Sequence, residues 1–79
     1  MKIELTTKTF EIDGTEFVIT KNKNEYAVVG GTKDKIMIDE DYTESELPEH
    51  YRRLFKLEKG EKLADNIVCI DVEFEVFDL

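Results

Sequence analysis

The sequence predicts an α+β domain, an antiparallel β-sheet of four to five strands with one α-helix packed on one face. Three observations predict it. Asp13-Gly14 separates two alternating apolar runs, a capping-box pattern opens the one stretch with helical spacing, and Val68 to Val76 alternates apolar with polar residues over an unusual length. The 79 residues make a single domain, because a chain this size buries only about 60% of the surface it exposes when unfolded and has no room for a second core. With 41% apolar residues in regular periodicity the chain is expected to fold although 38% of it is charged.

Phe10 and Ile12 precede Asp13-Gly14, and Thr15, Phe17 and Ile19 follow it. Asp-Gly supplies the positive φ angles of a two-residue hairpin turn, which sets Phe10 opposite Phe17 and Glu11 opposite Glu16. The like-charged pair requires that its face be solvated. Ile3 and Leu5 are odd-numbered whereas Phe10 and Ile12 are even, so a bulge or bend is expected within Thr6-Thr7-Lys8-Thr9. A four-residue loop from Lys21 to Asn24 would pair Ile19 with Tyr26 and Phe17 with Val28. Gly30 to Asp34 makes a third turn leading into Ile36-Met37-Ile38.

Thr43-Glu44-Ser45-Glu46 fits a capping box, and Leu47, Tyr51, Leu54 and Glu58 recur at helical spacing with Phe55 widening the stripe, predicting a helix from about Ser45 to Lys59 that Gly60 ends. In the last strand Val68, Ile70, Val72, Phe74 and Val76 form the predicted buried face. Cys69, Asp71, Glu73 and Glu75 form the other. Ten residues of strand extend about 33 Å, long for so small a domain. This strand either returns beside the first one or lies at an open edge.

Charge divides the chain more sharply than any motif does. Residues 39–49 hold six acids and no base, residues 50–62 are net positive, and residues 63–79 hold five acids and no base, within a total of −8. A pI near 4.6 argues against direct nucleic-acid binding, which needs a basic face, and favours a basic protein as partner. The N-terminus has no apolar run of the length a signal peptide or membrane span requires, so no membrane partner and a cytoplasmic location are expected. Cys69 is the only cysteine, which precludes an intrachain disulfide and a thiolate metal cluster.

Asp71, Glu73 and Glu75 space their carboxylates by roughly 6.6–6.8 Å along one strand face, about every second phosphate of a DNA strand. Together with Asp39, Glu40, Asp41, Glu44, Glu46 and Glu49 they offer a negative surface to a protein that grips nucleic acid. In composition and size the chain resembles the small inhibitors and DNA mimics carried by phages and mobile elements. The same carboxylates also suit a solvated outer face. Asp39-Glu40-Asp41 begins like a calcium loop, but Glu44 stands where that loop needs glycine and His50 where it needs a bidentate glutamate, so no metal site is expected.

Arg52, Arg53, Lys56, Lys59 and Lys62 suit the negative end of the helix dipole, with Glu49 spaced for local pairing. A Cys69–His50 nucleophile pair is disfavoured, because strand alternation places the thiol among carboxylates that suppress the thiolate. The sequence thus points to a non-enzymatic binding module, without cofactor, that inhibits or modulates a basic protein through its carboxylates. The alternative is a structural subunit that forms homodimers or larger assemblies through its long C-terminal strand.

Overall fold

Asp13 and Gly14 adopt φ of 52° and 79°, the conformation a two-residue hairpin turn demands, and the strands on either side pair in the expected register, Phe10 with Phe17 and Glu11 with Glu16. Both glutamates are exposed. In the computed structural model, which describes residues 1–31 and 36–79 and the side chains outside 31–40, this hairpin comprises β1 (Lys2–Ile12) and β2 (Thr15–Asn22). There follow β3 (Glu25–Gly31), β4 (Ile36–Thr43), the helix α1 (Glu49–Phe55), β5 (Lys62–Ala64) and β6 (Ile67–Asp78). The order across the antiparallel sheet is β4-β3-β2-β1-β6-β5.

The fold expectation is corrected. Among the described residues six strands form one sheet curled into a half-barrel with one short helix, so the protein is mostly β rather than a four-to-five-stranded α+β domain. The predicted helix shrinks to Glu49–Phe55 for two physical reasons. Leu47 precedes Pro48, whose ring disfavours the helical conformation at the residue before it. The capping box does not form: Thr43 Oγ1 donates to Glu46 Oε1, side chain to side chain, and the amides of Glu46 and Leu47 both return to Thr43 O and close a turn ahead of the helix. At the other end Lys8 Nζ, 7% exposed, donates to the carbonyls of Phe55 at 2.7 Å and Leu57 at 2.9 Å. A buried ammonium thereby satisfies carbonyls that the ending helix leaves free. The predicted helical residues near Gly60 instead form a turn, in which Glu58 N donates to Glu61 Oε1 and Glu61 N to Glu58 O.

The second turn is tighter than expected. Lys23, with φ of 54°, and Asn24 close it, so Asn22 pairs with Glu25 and Ile19 with Val28 rather than with Tyr26. Phe17 then faces Gly30 rather than Val28. A Cβ at Gly30 would lie 2.9 Å from two ring carbons of Phe17, so the absence of a side chain there lets the aromatic ring lie across the strand. Of the turn predicted over Gly30 to Asp34, Gly30 and Gly31 belong instead to β3 and 32–34 lie outside the described residues, as do the side chains of the predicted core residues Ile36 and Ile38.

β1 runs against β2 without interruption from Leu5 to Ile12, so the expected irregularity is not on that side. It lies in β6: Thr9 pairs with Asp71 and Phe10 with Cys69, leaving Ile70 opposite no residue of β1. This bulge changes which residues of β6 share a face. Cys69, 0% exposed, joins Phe10, Ile19, Tyr26, Val28, Leu47, Leu54 and Leu57 in the core, whereas Val68 and Ile70 are half-buried on the other face. Beyond the bulge Val72, Phe74 and Val76 share the inner face with their β1 partners Lys8, Thr6 and Glu4. Val72 packs against the core, but Phe74 is 62% and Val76 49% exposed, correcting their prediction as core.

Aromatic contacts fasten the helix to this inner face: Phe17 stacks on Tyr51 at 5.4 Å between centroids, and Tyr26 meets Phe55 edge-on at 5.6 Å. At the other end of the sheet Lys2 to Glu4 of β1 pair with β6 alone, because β2 reaches only to Asn22 opposite Leu5. This two-stranded projection makes the molecule 40 Å long, with a radius of gyration of 12.7 Å against the roughly 11.6 Å expected of a compact chain this size.

Candidate functional site

The nine acids singled out in the sequence fall into two groups at opposite sides of the sheet. Asp39, Glu40 and Asp41 belong to β4, Glu44 and Glu46 to the turn after it, and Glu49 to the start of α1. Asp71, Glu73 and Glu75 belong to β6. β3, β2 and β1 separate the two strands, about 19 Å along the sheet at the usual spacing. The side chains of Asp39 and Glu40 lie outside the described residues. Of the rest, Glu46 accepts from Thr43 and Glu49 is paired with Arg53 at 3.0 Å, so these two are engaged locally.

The β6 group is different. Asp71, Glu73 and Glu75 lie on the face opposite the helix, across from Thr9, Thr7 and Leu5 of β1, none of which carries a charge. Lys59 approaches Asp71 at 3.8 Å, and among the described residues Glu73 and Glu75 have no salt-bridge partner. Both are exposed. Three carboxylates therefore stand in a row on an open face, and among the described residues the outer two have no counter-charge.

The backbone beside them is also open. β5 covers β6 only at Ile67 and Val68, and the turn before it adds Gly60 N to Cys69 O at 2.8 Å and Cys69 N to Glu61 O at 2.9 Å. Beyond the bulge, among the described residues, no strand pairs with the outer edge of β6, so alternate amides and carbonyls from Asp71 to Asp78 point to solvent. The inner face of the same segment carries the exposed Phe74 and Val76, next to an open depression of ≈ 460 Å³ lined by Lys2, Glu4, Thr6, Lys21, Lys23 and Phe74. Sequence alternation located the carboxylates. The open edge was one of the two arrangements expected for this strand, but its extent and the lysines facing Phe74 depend on strand order and on where β2 and β5 stop.

Cys69 and His50 are separated in environment as well as in sequence. The thiol is buried, within 3.6 Å of Asp71 O, and burial is the main cause that pushes its pKa above the ordinary 9.0. The backbone contact and the Lys8 charge act in the opposite direction and only partly offset it. The expected location of Cys69 on the acidic face is thereby corrected, and the raised thiol stems first from burial rather than from carboxylates. His50 is exposed beside Tyr51, ring to ring at 4.0 Å. The other cationic cluster, Arg52, Arg53 and Lys56 with Glu49, lines a shallow depression on α1.

No helix among the described residues is long and apolar enough to cross a membrane. Comparison with protein-family models, with curated proteins and with solved structures finds no match.

Proposed function

We propose that the protein is a small non-enzymatic binding module of the cytoplasm that blocks or modulates a basic, nucleic-acid-binding partner through the acidic outer face of β6. The observation that supports this is the row of Asp71, Glu73 and Glu75 on an open face, of which the outer two lack counter-charges among the described residues. Carboxylates in such a row compete with phosphates for a cationic groove, steer association electrostatically and lose affinity as salt screens them. The β4-side acids Asp39, Glu40, Asp41, Glu44, Glu46 and Glu49 lie too far round the sheet to form one patch with this row, so they add long-range field rather than contacts. No metal or cofactor enters this mechanism.

The test compares the wild-type chain with D71K/E73K/E75K in affinity capture from host lysate at low and high salt. A basic nucleic-acid-binding protein retained by the wild type, released by salt and absent from the variant is the expected result, provided circular dichroism shows both chains folded. Retention by the variant overturns the acidic-face mechanism.

The open edge and the exposed Phe74, Val76 and Phe77 also favour a second reading, an assembly subunit that pairs β6 with a second copy. Such a dimer strengthens with salt, because the two acidic strands repel one another. A mass by light scattering that doubles as salt rises would establish it, and a monomer at every salt concentration would remove it.

A further inference from the structure

We infer that the free edge of β6 from Asp71 to Asp78 takes an extended segment of the basic partner as an added strand. That segment carries cationic residues on the outer face, alternating with apolar residues on the inner face. The inference rests on the acidic-face reading above and supplies its docking mode.

An unpaired strand edge is a template for another chain, and proteins commonly blunt it with proline, bulges, charge or a covering loop. Here the cover stops at Cys69, the bulge lies at Ile70, and the segment beyond holds no proline. Charge is the remaining guard, and it is selective in sign. It repels an acidic strand and attracts a basic one.

A second copy is disfavoured on this ground. Antiparallel self-pairing centred on Phe74 sets Glu73 opposite the partner's Glu75, centring on Glu75 sets that residue opposite the partner's Glu75, and centring on Val76 leaves these two carboxylates diagonal. Like charges so placed destabilise a strand pair. A strand with lysine or arginine at the same outer positions turns each repulsion into a cross-strand attraction.

The inner face fixes the other half of the pattern. Phe74 and Val76 stand exposed there, which guarding an edge with charge does not explain. Apolar side chains on that side of an added strand would meet Phe74 and Val76, the inner-face residues of β6 nearest the edge. Because side chains alternate between faces, a slip of one residue reverses both matches at once, so the partner segment is held in register. Eight residues, Asp71 to Asp78, give about 26 Å of edge.

The probe is an acetylated, amidated and fluorescein-labelled octapeptide of alternating lysine and valine, titrated into the full chain by fluorescence anisotropy. Two further peptides carry N-methyl groups either on all the lysine amides or on all the valine amides. In an added strand only one of these two sets donates to β6. The expected result is binding of the parent, near-parent binding of one methylated isomer, and a loss on the order of tenfold or more for the other. Equal binding of both isomers overturns strand addition while leaving the acidic-face reading standing. Parent binding undiminished in D71K/E73K/E75K overturns both, and absence of parent binding at low salt overturns strand addition by this class of segment.

Discussion

The two halves of β6 present apolar side chains on the same inner face to different ends. From Ile67 to Val72 the inner residues face α1 and the core, with Cys69 fully buried and Ile67 and Val72 packed against the core. From Glu73 to Asp78 the pattern continues, but β2 has ended, the helix lies elsewhere, and Phe74 and Val76 stand in the open. Burial thus depends on what the rest of the chain lays over a face, and not on the apolar character of the residues that line it. The covered half carries stability, and the uncovered half is free to carry binding.

Substitutions sharpen this contrast. Phe10→Ala, at a fully buried position, is expected to cost about 3–5 kcal/mol in urea unfolding. A loss below 1 kcal/mol would show that the helix-covered half is not the stabilising one. Lys8→Met keeps the aliphatic stem but leaves the Phe55 and Leu57 carbonyls without their donor, at about 2 kcal/mol. Hydrogen exchange across Tyr51–Phe55 should accelerate more than that of β1 and β2. Uniform acceleration would mean that Lys8 does not hold the helix specifically.

Gly30→Ala brings a methyl group to 2.9 Å from the Phe17 ring, itself held by Tyr51, and is expected to cost about 1–2 kcal/mol. Adding Phe17→Val should recover part of this loss in a double-mutant cycle, and strict additivity would locate the strain elsewhere. A smaller effect follows from Cys69. Its thiol pKa is raised on folding, so the folded state holds this proton more tightly than the unfolded chain. That contribution is fully present below the ordinary value of 9.0 and is lost as pH rises toward the folded value. Unfolding followed above pH 9 should therefore show a declining stability that Cys69→Ala removes, measured against its own neutral-pH baseline. Smallest of all, Phe74→Ala with Val76→Ala is expected to shift stability by about 0.5 kcal/mol or less, as exposed sites do. A loss matching Phe10→Ala would erase the distinction between the halves.

Local chemistry made part of this molecule legible. Asp13-Gly14 dictated its own turn and, through it, the register of Phe10 on Phe17, because a two-residue loop leaves no freedom. Thr43-Glu44-Ser45-Glu46 read as a helix start but closes a turn instead, since Pro48 denies Leu47 a helical conformation and delays the helix to Glu49. Lys23 gave no comparable signal, because lysine rarely takes positive φ, and the tighter turn shifted the pairing of β3. Lys8 read as an ordinary polar strand residue. Its burial depends on carbonyls more than forty positions away, beyond the reach of periodicity. Of the candidate site, the spacing of Asp71, Glu73 and Glu75 was visible as alternation, whereas their separation from Asp39 to Glu49 follows from a strand order that no local pattern encodes.

Ile70 has a consequence for how this strand tolerates change in length. Because it opposes nothing in β1, it acts as punctuation rather than as a letter of the strand. A chain that lost Ile70 would still set Asp71 opposite Thr9 and Val72 opposite Lys8, with every later side chain on its present side. A chain that lost Val72 instead keeps Glu73 opposite Thr7 only by closing the bulge, with Ile70 opposite Thr9 and Asp71 turned inward opposite Lys8. Ile70 is thus the place where the strand's reading frame can be closed up without altering its message.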